Sequence, residues 1–248
     1  MLYYFGGHMI KKLVSYFSLL ERILWCASVA VIVLSFAIFD GEDYLTLSAS
    51  IIGVTSLIFS AKGNPVGQGL MVAFSLLYGV ISYKFRYYGE MITYVGMTMP
   101  MAVVALVAWL KNPFHGNRSQ VAVNRPAKRE YMLMLALTVI VTAIFFFILA
   151  AFDTKNIIPS TLSVSTSFMA VYLTFRRDPL FALAYAANDV ILIILWTMAS
   201  IENTAYIPVT VCFAAFLAND IYGYVSWRKM ARLQSSALDD RPQSIDAD

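Results

Sequence analysis

Long apolar runs, each ended by a short polar break, occupy most of this 248-residue chain. A helix rises about 1.5 Å per residue and needs about 20 apolar residues to cross about 30 Å of hydrocarbon. Runs of that length fall at 22–39, 44–61, 66–86, 90–110, 131–152, 157–175, 179–200 and 205–226. The breaks carry glycine, proline and clustered charge, as helix ends do: Asp40-Gly41-Glu42-Asp43, Lys62-Gly63-Asn64-Pro65, Arg86-Tyr87-Tyr88-Gly89-Glu90, Asp153-Thr154-Lys155-Asn156, Arg176-Arg177-Asp178-Pro179 and Ile201-Glu202-Asn203. A longer basic loop runs from Lys111 to Arg129. The pattern predicts an all-α polytopic membrane protein with eight transmembrane helices. The N-terminal run with Lys11, Lys12 and Glu21 reads as an amphipathic surface helix or the start of a signal-anchor, and it lacks the small-residue site that would favour cleavage. After Trp227 the chain turns polar and then acidic, which predicts a disordered tail.

Composition agrees with a bilayer as solvent. Hydrophobic residues make up 60% of the chain and charged ones 13%, with a mean hydropathy of +0.70, where a soluble domain has about 25% charged residues. Cys26 and Cys212 both lie in apolar runs, so they read as packing residues and not as a disulfide framework. Lys and Arg collect in cytoplasmic loops, and with eight spans 15 of the 18 basic residues fall on one side, leaving only Lys84, Arg86 and Lys155 on the other. That bias places both termini in the cytoplasm, accounts for the basic balance, and leaves no reason to expect nucleic-acid binding.

Internal similarity then divides the chain. Leu47-Ser48-Ala49-Ser50 recurs 115 residues later as Leu162-Ser163-Val164-Ser165. At an offset of 118, Leu77 matches Leu195, Ser82 matches Ser200, Tyr88 matches Tyr206, Trp109 matches Trp227 and Lys111 matches Lys229, while Tyr78 falls opposite Trp196. These matches predict two three-helix repeats, 44–112 and 157–230. They are joined by a segment, 113–156, that holds the basic loop and a linker span. The linker makes the repeats parallel, with a substrate site expected between them. Residues 1–43 form an N-terminal segment and an extra span outside the repeat, and 231–248 form the disordered tail.

Function is sought among polar groups that insertion penalises. Asp189 and Asp220 are the carboxylates well within spans, each in Ala-Asn-Asp-(Val/Ile), and a charge at mid-bilayer costs at least ~2.5 kcal/mol. Asn188 and Asn219 lie about 13 Å and about 10 Å from the cytoplasmic ends of their spans, at one depth. Tyr222, Phe213 and Thr210 share the last span with Asn219, Tyr185 and Trp196 the span before it, and Glu90, Thr93, Tyr94 and Thr98 descend from the outer mouth. Amides read a carboxamide or ribose hydroxyl, and aromatic faces hold a flat or cationic ring, so this set suits a nucleoside. Interhelical hydrogen bonding that locks the bundle is the competing reading of the asparagines and aspartates. Pro100, Pro179, Pro208, Gly89 and Gly96 are candidate hinge positions. An enzyme is not expected: His8 and His115 lie outside the spans, which leaves no histidine base or metal centre in the membrane, and neither member of an Asp189–Asp220 dyad has a Gly-rich neighbour that would open its helix to an extended peptide substrate. No cofactor and no metal site is expected.

Tyr87-Tyr88-Gly89-Glu90-Met91-Ile92-Thr93-Tyr94-Val95-Gly96-Met97-Thr98-Met99-Pro100-Met101, Thr174-Phe175-Arg176-Arg177 and Asn219-Asp220-Ile221-Tyr222-Gly223 resemble the PnuC family of nicotinamide riboside transporters, over roughly residues 40–230. The resemblance implies a fold like that of a full-length SWEET transporter, a homotrimer in a bacterial cytoplasmic membrane, and facilitated diffusion. A cytoplasmic kinase would trap the riboside by phosphorylation and feed NAD biosynthesis, so no ion gradient is needed and Asp189 and Asp220 stand as structural or coupling groups. The family's Trp-x-x-Trp-x-x-x-Asn segment corresponds to Phe181 through Asn188. Here Ala184 stands where an aromatic is expected, with Tyr185 adjacent. The ligand therefore stays open among nicotinamide riboside, thiamine and a deoxynucleoside. A non-transporting membrane scaffold or receptor is the remaining alternative.

Overall fold

A computed structural model describes residues 15–239, with side chains to 237. Its helices are α1 (Leu19–Phe39), α2 (Tyr44–Ala61), α3 (Val66–Lys84), α4 (Tyr88–Thr93), α5 (Met99–Lys111), α6 (Lys128–Ala151), α7 (Ile157–Arg176), α8 (Leu180–Glu202) and α9 (Ile207–Asp239). Two short strands, β1 (Pro113–Phe114) and β2 (Asn117–Val121), pair antiparallel. A π-helical turn, Tyr94–Thr98, joins α4 to α5, and the two cross as one span. Among the described residues eight helical segments are thus long and apolar enough to cross a membrane, as the hydrophobic runs predict. Pro100 explains the π turn locally. It has no N–H for the ladder, and the preceding Met99 N–H reaches five residues back to the Tyr94 carbonyl, a wider turn typical of functional kinks. Of the other candidate hinges, Pro179 caps α8 and Pro208 is the second residue of α9. Both begin helices.

The bundle has an inside and an outside. Only 22% of α1 and 17% of α6 is buried, against 56% of α2 and 50% of α3. Val31, Leu34 and Ile38 on α1, and Val139, Ile140 and Phe147 on α6, are exposed on the outside of the bundle. α2 packs on α3 and α9, α7 packs on α5 and α8, and α8 packs on α9. Residues matched at the offset of 118 meet twice. Trp196 Nε1 donates to Tyr78 Oη at 2.7 Å, and the Trp109 and Trp227 rings lie 5.3 Å apart.

Other contacts recur in pairs. Trp109 donates to the Thr174 carbonyl at 2.9 Å and Trp227 to the Ser60 carbonyl at 2.7 Å. Asn64 accepts from Val66 N–H at 3.0 Å and Asp178 from Leu180 N–H at 2.7 Å, so the same Asx-Pro turn starts α3 and α8. Glu21 of α1 pairs with Lys62 at 3.2 Å, and Glu130 of α6 pairs with Arg176. Asn64 donates to Tyr16 Oη at 3.0 Å, and Tyr131 Oη of α6 donates to Asp178. α1 and α6 thus each carry a glutamate paired to a basic residue at the end of the helix that follows.

Two expectations need correction. The basic loop contains a hairpin, closed by His115 and Gly116 at φ +50° and +78°, the backbone a two-residue hairpin turn requires. This strap is stitched over three helix ends and the side of α9. Val121 N–H donates to Gly63 O at 2.9 Å, Ala122 N–H to Asn112 O at 2.8 Å and Asn124 N–H to Arg177 O at 3.0 Å. Gln234 accepts from Val123 N–H at 2.8 Å and donates to Val121 O at 3.0 Å. The second correction follows from the first. The segment expected to begin a disordered tail at 231 is helical to Asp239, because Trp227, Met230, Ala231 and Gln234 form one buried face against the strap. Residues 240–248 and the N-terminal segment with Lys11 and Lys12 lie outside the described residues.

Candidate functional site

Successive residues on a helix point about 100° apart, so α8 and α9 cannot aim both members of an Asn-Asp pair at one place. The structure turns the aspartates inward. Asp189 and Asp220 meet side chain to side chain between α8 and α9 and are 3% and 5% exposed. The asparagines turn to other helices. Asn188 Oδ1 accepts from Thr166 Oγ1 at 2.9 Å and Ser167 Oγ at 3.0 Å on α7. Asn219 Nδ2 donates to Ser28 Oγ at 2.9 Å on α1 and to the Ala215 carbonyl at 2.8 Å. The two amides, expected in one layer, thus bond to different helices and do not form one contiguous amide patch. Asn219 Oδ1 and Asp189 Oδ2 remain buried without hydrogen-bond partners.

The π turn brings Tyr94 into this layer. Its hydroxyl lies beside Asn188 and within electrostatic reach of Glu90, Asp189 and Tyr185, and its ring meets Tyr78 edge to face at 4.3 Å. Glu90, one turn from Tyr94, is fully enclosed beside Ser163 of α7. A continuous polar column results: Glu90 and Ser163, then Tyr94, then Asn188 with Thr166 and Ser167, then Asp189 and Asp220. Phe213 and Phe74 pack around Tyr78, at 5.4 and 5.6 Å. Thr98 Oγ1 is buried without a partner.

Of the remaining predicted residues, Tyr185 lies within electrostatic reach of Asp220 and Asp189, and the others stand apart from the column. Trp196 is held among Tyr78, Tyr87 and Tyr206 near the far end of α8, and Thr210 faces Ser200 there at 3.4 Å. Phe181 packs 4.8 Å from Trp227 and 6.3 Å from Trp109 at the hairpin end, with Tyr185 edge-on to it at 6.2 Å. Tyr222 Oη donates to Glu21 of α1 at 3.0 Å, and Thr93 Oγ1 turns back on the Gly89 carbonyl at 2.9 Å. Aromatic clusters thus lie toward the two ends of α8, Tyr78–Trp196 at one and Trp109–Trp227–Phe181 at the other. Sequence reasoning missed Ser28, Ser163, Thr166 and Ser167. A legible signal existed on α7, where Ser160, Ser163, Ser167 and Thr174 fall on one buried face.

Residues 43–229 match the family model described as nicotinamide mononucleotide transporter. The chain belongs to this family. A curated relative, the nicotinamide riboside transporter PnuC of Neisseria mucosa, is 26% identical over 204 residues, covering 80% of this chain and 77% of the relative. The protein of the same name from Haemophilus influenzae is 20% identical over 192 residues, covering 77% and 82%. A solved structure, described as the crystal structure of the vitamin B3 transporter PnuC, superposes with a TM-score of 0.77 at 21% identity, over 88% of this chain and 94% of that one. It shows that the fold is shared. Members of the family are multi-pass membrane transporters and not enzymes, so the facing aspartates are not a proteolytic dyad.

Proposed function

We propose that this protein carries nicotinamide riboside into a bacterium through the column between α4, α7, α8 and α9. The observation that carries the reading is the chemistry of that column. It offers amide, hydroxyl and carboxyl groups with aromatic faces, and among the described residues no Lys, Arg or His is buried. A mononucleotide's phosphate is recognised by cationic forks or ammonium groups, and acidic walls repel it, so a riboside suits the column better than its phosphate. The same repulsion supports facilitated diffusion with trapping: once a cytoplasmic kinase phosphorylates the riboside, the product is an anion that the column rejects. The hairpin end, rich in Lys and Arg, faces the cytoplasm under the positive-inside rule, which puts both termini there. Rocking of α2–α5 against α7–α9 would open the two aromatic clusters in turn, with the π turn at Tyr94–Thr98 as a hinge. A homotrimer, implied by the family resemblance, completes the proposal.

Calorimetric titration of the detergent-purified protein with nicotinamide riboside, its 5′-phosphate, thiamine and a deoxynucleoside tests this reading. Binding of the riboside without the phosphate is the expected result. Preference for thiamine or a deoxynucleoside replaces the substrate, and no binding by any of the four sinks the reading. Mass photometry of the same sample tests the trimer.

A further inference from the structure

Glu90 is 1% exposed, and both its carboxylate oxygens lack a hydrogen-bond partner of good geometry, as does the adjacent Ser163 Oγ. Ionising a buried carboxyl is costly unless a positive charge accompanies it. Among the described residues no buried Lys, Arg or His supplies one. On the same end of the bundle, Lys84 is paired with Asp43 and Lys155 with Glu202, and these two lysines and Arg86 are exposed. Two more carboxyls, Asp189 and Asp220, close the other end of the column, and Tyr94 lies within electrostatic reach of both Glu90 and Asp189. Tyr94 packs edge to face with Tyr78 and Phe74 beside these carboxyls, and aromatic rings attract cations at their faces. Every feature of this column favours a positive charge delocalised over a flat ring.

We propose that Glu90, backed by Asp189 and Asp220, selects substrates whose heteroaromatic ring carries a fixed positive charge, so that a pyridinium riboside or a thiazolium is taken in preference to a neutral nucleoside. The inference rests on the transport reading above and narrows its substrate class. Nicotinamide riboside meets the requirement, thiamine meets it, and deoxynucleosides do not. The ring then provides the counter-charge that Glu90 lacks, while the carboxamide and ribose hydroxyls remain available to Asn188, Thr166 and Ser167.

A matched pair of ligands isolates the charge. Benzamide riboside has the shape and hydrogen-bonding groups of nicotinamide riboside, but its ring is neutral. Both are titrated calorimetrically into the wild-type protein, Glu90→Gln and Glu90→Asp, with thermal midpoint and elution volume recorded for each. The wild type is expected to bind the cationic riboside about tenfold or more tightly than the neutral one, the scale of a desolvated cation–π and charge contact. Glu90→Gln should lose most of that preference by weakening the cation alone, and Glu90→Asp should keep it. Equal binding of the two ribosides by the wild type overturns the inference while leaving the transport reading intact, and so does a preference that survives in folded Glu90→Gln. Binding of neither riboside overturns both. Should Glu90→Gln fail to fold, the wild-type ratio and Glu90→Asp still decide.

Discussion

The hairpin end and the middle of the bundle are built on opposite terms. At the hairpin end the strap satisfies helix-end carbonyls at Gly63, Asn112 and Arg177, and Gln234 uses both ends of its amide. Trp109 and Trp227 are wholly buried and each donates to a main-chain carbonyl of the other half. In the middle, Glu90, Ser163, Thr98, Asp189 and Asn219 all keep buried polar atoms unpartnered. An unpartnered buried polar group costs about 1–3 kcal/mol, so the column bears more of this cost than the hairpin end, where Arg176 Nε is also unpartnered. On the proposed transport reading, the contrast separates a region whose polar groups serve the fold from one whose polar groups await a ligand.

That contrast can be broken experimentally. The largest effect is expected from Trp227→Ala, which removes a wholly buried indole and its hydrogen bond to Ser60. Deleting such a side chain costs about 3–5 kcal/mol, seen as a large fall in thermal midpoint in detergent, while the folded fraction keeps its riboside affinity. Asn188→Ala should show the reverse. Thr166 Oγ1 already reaches the Leu162 carbonyl at 3.0 Å, so the stability loss stays near ~1 kcal/mol, while riboside binding by calorimetry weakens by about tenfold or more. Gln234→Ala sharpens the picture of the strap. Loss of two main-chain contacts should cost about 1–2 kcal/mol and speed hydrogen exchange across 113–124 with transport unchanged. Lys155→Ala, which removes an ion pair with both partners more than half exposed, should leave midpoint and uptake as they are.

Much of this was legible. Span count and breaks follow from apolar run length, since a bilayer leaves the backbone no alternative to internally bonded helices. The facing aspartates were flagged by the cost of charge in hydrocarbon. The hairpin was not legible, because Asn117, Arg118, Ser119 and Gln120 show no apolar alternation; its strands owe their conformation to Gly63, Gln234 and Arg177, all distant in sequence. The extension of α9 was half legible. Its overall polarity reads as a tail, yet Trp227, Met230, Ala231 and Gln234 repeat at i, i+3, i+4 and i+7, the spacing of a buried helical face.

Sequence alone determined that this chain spans a membrane eight times and which carboxyls the membrane would penalise, because both follow from local composition weighed against the solvent. Only the tertiary structure decided which way those groups face. Helix rotation is set by packing, and packing turned Asp189 and Asp220 together, sent Asn188 to α7 and Asn219 to α1, and let the π turn swing Tyr94 between Glu90 and Asn188. A rotation of one residue step would exchange those partners, and nothing in the order of amino acids along a single helix specifies it.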